Sequence, residues 1–220
     1  MKKLDFFKYV AVFAAFCLLF VAGCGDDDDN KGTDPSIPKG DLSNHDGDNA
    51  PITTQEDLEA FFAAWDEEKK AGRDVDGTRC CGDSGRIYNG LVGGGNRIAK
   101  DLSYSEEGSG DDYKYSLVYT SEYNNYSNKG VLYLGGGTKT DRDGGGNANA
   151  WSKYTHNGTI RFNGTFNGTI EFKDFKYSLE YSPSSSDRSY KYESGIIKIG
   201  SIEIGKSRED IAKLREINLL

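Results

Sequence analysis

Hydrophobic and polar positions fall into three successive patterns along the chain. From Tyr9 to Ala22 the residues are apolar throughout; small residues then lead to Cys24, and four aspartates follow at 26–29. Residues 25–52 show no hydrophobic period. Asp34, Asp41, Asp46 and Asp48 stand there against Lys31 and Lys39, with Pro35, Pro38 and Pro51, which is the composition of a disordered tether. Leu58, Phe61, Phe62 and Trp65 then recur at i, i+3, i+4 and i+7 and predict an amphipathic helix over 54–71. Thr53-Thr54-Gln55-Glu56-Asp57 offers it a capping box in either of two registers, and Gly72 closes it. A stripe this regular is expected to dock on a sheet.

From Ile87 onward the period drops to two. Tyr113, Tyr115, Leu117 and Tyr119 alternate with polar residues, and Val131–Leu134 is a short apolar run. The triple glycines at 93–95, 135–137 and 144–146 read as loops or bends. Asn-Gly-Thr occurs three times, at Asn157, Asn163 and Asn167. Asn-Gly favours two-residue hairpin turns, yet such a turn would switch the parity of the apolar positions. Ile160, Phe162, Phe166, Ile170 and Phe172 all stay even, so 159–172 is expected to be one long strand with Gly164 and Gly168 on its apolar face.

Parity does switch at Lys173-Asp174, to Phe175, Tyr177, Leu179 and Tyr181, which requires either a hairpin or a bulge. After a Ser-rich turn at 182–186, Tyr190–Tyr192 and Ile196–Ile204 predict two or three short strands, broken at Ser194-Gly195 and Gly200-Ser201. A last helix is expected at 208–217, capped by Ser207 and Asp210. The expected fold is therefore mainly β, an antiparallel meander, curved sheet or up-and-down barrel with an N-terminal amphipathic helix and a short C-terminal helix.

The opening apolar run is too short for a membrane-spanning helix, which needs about 20 residues, and it follows Lys2, Lys3 and Lys8 as a secretory signal does. Val21-Ala22-Gly23-Cys24 resembles the lipobox of bacterial lipoproteins. The resemblance implies cleavage after residue 23, a diacylglycerol on Cys24, and attachment to the cell envelope through membrane lipid. Gly25, rather than Asp, follows the cysteine, so inner-membrane retention is not implied and the outer membrane is the expected location. The domains expected are a signal peptide at 1–23, a lipidated cysteine with an acidic tether at 24–52, and one β-rich domain at 53–220.

Of 220 residues, 27 are basic and 35 acidic, a net charge of −8; losing 1–23 leaves 24 against 34, or −10. That balance excludes nucleic acid as a partner, since such binding rests on neutralising phosphates. With Cys17 cleaved away and Cys24 acylated, Cys80 and Cys81 are the remaining thiols. Outside the cytoplasm they tend to oxidise, as a strained disulfide between neighbours or between two chains, and the alternative is two reduced thiols in a loop. Neither they nor distant His156 give zinc-ligand spacing, and no metal or cofactor is implied.

Gly200 to Ser207 matches a phosphate-binding loop in letters. Ile202-Glu203-Ile204 alternates as a strand does, and no following strand could carry the magnesium-binding Asp, so nucleotide is excluded. His45 falls in the tether and His156 is expected in a turn; no nucleophile elbow accompanies them. Asp141-Arg142-Asp143-Gly144 reads as an acidic loop. No catalytic residue is assigned. Tyr104, Tyr123 and Tyr126 fall outside the clear period and are the candidates for a ligand-contacting loop. The expected function is a lipid-anchored, non-catalytic binding or scaffold protein for an envelope protein or glycan. A carrier of an apolar ligand in a half-barrel comes second, by analogy of fold, and an extracytoplasmic glycan hydrolase third.

Overall fold

The computed structural model describes residues 37–45, 50–72, 77–80, 85–146, 150–181 and 188–220, with backbone only at 78–80. Cys24, Cys81, the signal and most of the tether lie outside the described residues, and so does the side chain of Cys80.

Among the described residues, ten strands form one sheet: β1 (Ala50–Pro51), β2 (Thr78–Cys80), β3 (Gly85–Asn89), β4 (Asn96–Glu107), β5 (Lys114–Tyr126), β6 (Leu132–Gly145), β7 (Trp151–Gly164), β8 (Phe166–Tyr181), β9 (Arg188–Ile199) and β10 (Ile202–Ile204). From β2 to β10 each strand pairs antiparallel with its sequence neighbours, and β1 adds a short parallel pairing to the start of β8. The sheet is curved and does not close, a meander rather than a barrel. Its regularity follows from the alternation: on β7 and β8, Ile160, Phe162, Ile170 and Phe172 share one buried face.

Helix α1 (Gln55–Ala71) covers that face. Thr54 is its N-cap, in a complete capping box with Asp57. Leu58, Phe61 and Trp65 are buried, and Phe61 packs at a tilt 4.7 Å from Phe162 and edge-on to Phe166. Helix α2 (Arg208–Glu216) buries Ile211 and Leu214, capped by Ser207 and Asp210 as the pattern predicts. Trp65 Nε1 donates to the Ile217 carbonyl and ties the two helices together. Ile202–Ile204 is a strand, so the Gly-Lys-Ser pattern is a strand end followed by a helix cap.

Several local expectations change. The stretch 159–172 is two strands, not one, joined at Thr165 with Phe162 paired to Gly168. A five-residue connection preserves parity where a two-residue turn switches it, so unbroken parity from Ile160 to Phe172 fits a hairpin as well as a single strand. At Lys173-Asp174 the choice resolves to a bulge within β8. Asp174 takes φ 46°, and the Asn157 side chain bonds both its amide and its carboxylate. The extra residue returns Phe175 and Tyr177 to the helix-covered face. Ser194-Gly195 is not a break either: β9 runs through it, with register shifts against β8 on both sides.

Gly135–Gly137 and the Asp141–Gly144 segment are not loops either; both lie within β6. For the three glycines the reason is a strap. Residues 37–45, expected within the disordered tether, cross the sheet on the face opposite the helices. Gly136 N–H donates to the Gly40 carbonyl and Asn125 N–H to that of Asp41. His45 bonds Asn125 and stacks on Tyr133 at 3.5 Å. A Cβ at Gly135 would lie 2.5 Å from Leu42 Cβ, so glycine is what lets the strap lie flat. Among the described residues no helix is long and apolar enough to cross a membrane.

Candidate functional site

The stripe of α1 carries one charged residue. Glu68 is seven positions after Phe61 and three after Trp65, on the buried side of the helix, and is only 3 % exposed. Its carboxylate accepts from the amides of Asn128, Lys129, Val131 and Leu132 at 2.7–2.9 Å, and from Ser127 Oγ. The turn between β5 and β6 thus wraps its N–H groups around one anion. Every oxygen is satisfied.

Lys69, the next residue, points elsewhere. Between α1, the segment after α2 and strands β3 to β8 lies a cavity of about 420 Å³. Lys69 and Arg97 line it, and no Asp or Glu side chain does. The Lys69 ammonium lies over the rings of Trp65 and Tyr123, and the Arg97 guanidinium over Tyr88 and Tyr123. Among the described residues no carboxylate pairs with either cation. Loss of hydration, reinforced by the charge of Arg97, holds the Lys69 ammonium below the usual lysine range. Burial raises the Tyr123 phenol, but the two cations outweigh it and bring it below the ordinary value.

Three buried polar atoms around this cavity have no partner: Arg97 Nε, Asn128 Oδ1 and His156 Nε2. Asn128 donates through Nδ2 to the Glu68 carbonyl and the Tyr126 hydroxyl, which fixes Oδ1 as its free acceptor. His156 lies in β7, not in a turn, and is 5 % exposed. Its Nδ1 is 2.9 Å from Thr140 Oγ1. Desolvation, then the charge of Arg215, pushes its pKa down to about 3, so the ring is neutral at ordinary pH. Unpartnered buried groups are rare in folded proteins, and three of the five such atoms among the described residues belong to side chains that line this cavity, the other two being Arg142 Nε and Asn163 Oδ1.

Of the candidate tyrosines, Tyr123 and Tyr126 line the cavity from the end of β5, where a bulge at Asn124-Asn125 breaks the alternation. They stand on a strand and are buried, not on a loop. Tyr104 is elsewhere, exposed on β4, where its hydroxyl and that of Tyr113 share Glu106. The structure brings together two of the three and adds Lys69, Arg97, Asn128 and His156. A second depression of about 440 Å³ at the other end of the sheet mixes Glu106, Glu107 and Asp143 with Lys114 and Lys153, and so has no charge of one sign to offer.

No protein-family model, curated protein or solved structure matches this chain.

Proposed function

We propose that this chain is a lipid-anchored envelope protein whose domain binds a small polar ligand, without turning it over, in the cavity beside α1. The observation that carries the reading is a cavity lined by Lys69 and Arg97, with Asn128 and His156 beside them and no Asp or Glu side chain. The volume suits one or two sugar-sized groups, toward the small end of ordinary ligand sites. The apolar-carrier reading fits this lining poorly, since hydrocarbon against Lys69 and Arg97 would leave two cations desolvated without compensation. Glycoside hydrolysis needs two carboxyl groups flanking the bond, and the described cavity lining offers neither Asp nor Glu. Attachment rests on the Val21-Ala22-Gly23-Cys24 resemblance and on the two acyl chains that stable anchoring requires.

Native mass spectrometry of the full chain released from detergent tests the binding reading. A co-purified small molecule should be present in the wild type and lost from Asn128→Ala. An adduct that persists in that variant, or turnover of a glycan, would overturn it. For the anchor, Cys24→Ala should move the protein out of the membrane fraction, and unchanged retention would refute lipidation.

A further inference from the structure

Resting on the binding reading just given, we infer that the ligand is an acidic sugar or a similar hydroxy acid, a molecule carrying both an anionic group and hydroxyls. Two kinds of lining group suit the two halves. Lys69 and Arg97 line the cavity and no Asp or Glu side chain does, so that side of it favours an anion. Ser121, Thr138 and Asn128 add polar side chains to the same lining, which suits a ligand that also carries hydroxyls. An apolar molecule matches neither set. A neutral sugar matches only the second.

The rest of the lining suits a polyhydroxylated ring. Thr138 and Ser121 bring hydroxyls to the lining, and Tyr119 adds an aromatic ring. An acidic partner for a chain of net charge −8 has to be drawn in locally. Two cations focused in a walled cavity achieve that where the surface as a whole would repel.

The full chain in a neutral detergent should be titrated with D-glucuronate, D-glucose and inorganic phosphate by isothermal calorimetry. Glucuronate should bind at least tenfold more tightly than either of the others. Lys69→Met and Arg97→Gln should each weaken glucuronate by tenfold or more while leaving the far-ultraviolet spectrum unchanged, and Arg97→Lys should restore part of the loss. Glucose binding as tightly as glucuronate overturns the acidic preference and leaves the binding reading standing. Phosphate binding as tightly overturns the sugar half in favour of a plain anion site. If no probe binds at millimolar concentration, the inference fails, and the co-purification experiment decides separately whether the cavity binds anything.

Discussion

Glu68 and Lys69 are neighbours in sequence, both charged and both turned toward the sheet from the same turn of α1, yet the protein treats them oppositely. Glu68 is enclosed by four backbone amides and a serine, and no lone pair is left wanting. Lys69 faces a cavity shared with another cation and with groups that have nothing to bond. A buried charge whose partners are complete is architecture. Lys69 is half-buried and rests on the rings of Trp65 and Tyr123, with no carboxylate paired to it among the described residues.

The contrast is sharpest when Glu68 is removed. Glu68→Met should cost about 3–5 kcal/mol, because it strands a set of buried donors that were wrapped around one acceptor. The readout is the denaturant midpoint at unchanged slope. Glu68→Gln should recover little, since its amide NH2 would face N–H groups that can only donate. A loss below 1 kcal/mol would mean that the β5–β6 turn holds its shape without the carboxylate.

His156 should make the cavity wall acid-sensitive. Its folded pKa of about 3 lies below the ordinary 6.5, so between these values the unfolded chain binds a proton that the folded one does not. The stability this depression supplies is complete above pH 6.5 and is lost as pH falls toward 3. From pH 7 to pH 5 the loss should be about 2 kcal/mol, before most carboxylates begin to titrate. His156→Phe should flatten that part of the profile, and an unchanged slope in the variant would assign the acid sensitivity elsewhere.

On the opposite face, the strap should yield more cheaply. Gly135→Ala places a methyl where Leu42 and the Asp41 backbone now lie, all of them strap atoms. The strap should lift at a cost of about 1–3 kcal/mol, typical of overpacking. Proteolytic cuts should appear within 37–45, and ligand binding in the cavity should not change. Loss of binding would show that the two faces are coupled.

Much of the frame was legible in the sequence, because it depends on local periods. The helix from the Leu58-to-Trp65 stripe, the cap at Ser207 and the alternating strands around Tyr115 and Phe172 each follow from a few residues. What failed depended on distant chain. Gly135–Gly137 reads as a loop until a segment almost a hundred residues earlier is found lying across it. The parity of Ile160 through Phe172 was correct while its meaning depended on loop length, which parity alone does not give. The cavity was half legible, since Tyr123 and Tyr126 stood out by breaking the alternation. Lys69 and Arg97 look like ordinary surface charge. The one available signal was Glu68, an acid placed squarely on an apolar stripe, where a charge needs a reason.

The smallest expected effect on stability is the most discriminating. Lys69→Met keeps about the same side-chain length beside Trp65 and Tyr123 but removes the ammonium that lies over their rings, a charge whose hydration is already impaired. No carboxylate is stranded by the change, so the penalty that dominates at Glu68 does not arise. Removing a half-buried, partly dehydrated charge costs little when no opposite charge loses its partner. The variant should therefore stay within about 1 kcal/mol of wild type, on either side, while Glu68→Met loses several. If the two neighbouring substitutions destabilise equally, Lys69 is as structural as Glu68, and the cavity loses its claim to be a site. If Lys69→Met is neutral for folding and also abolishes glucuronate binding, the charge is present for the ligand alone.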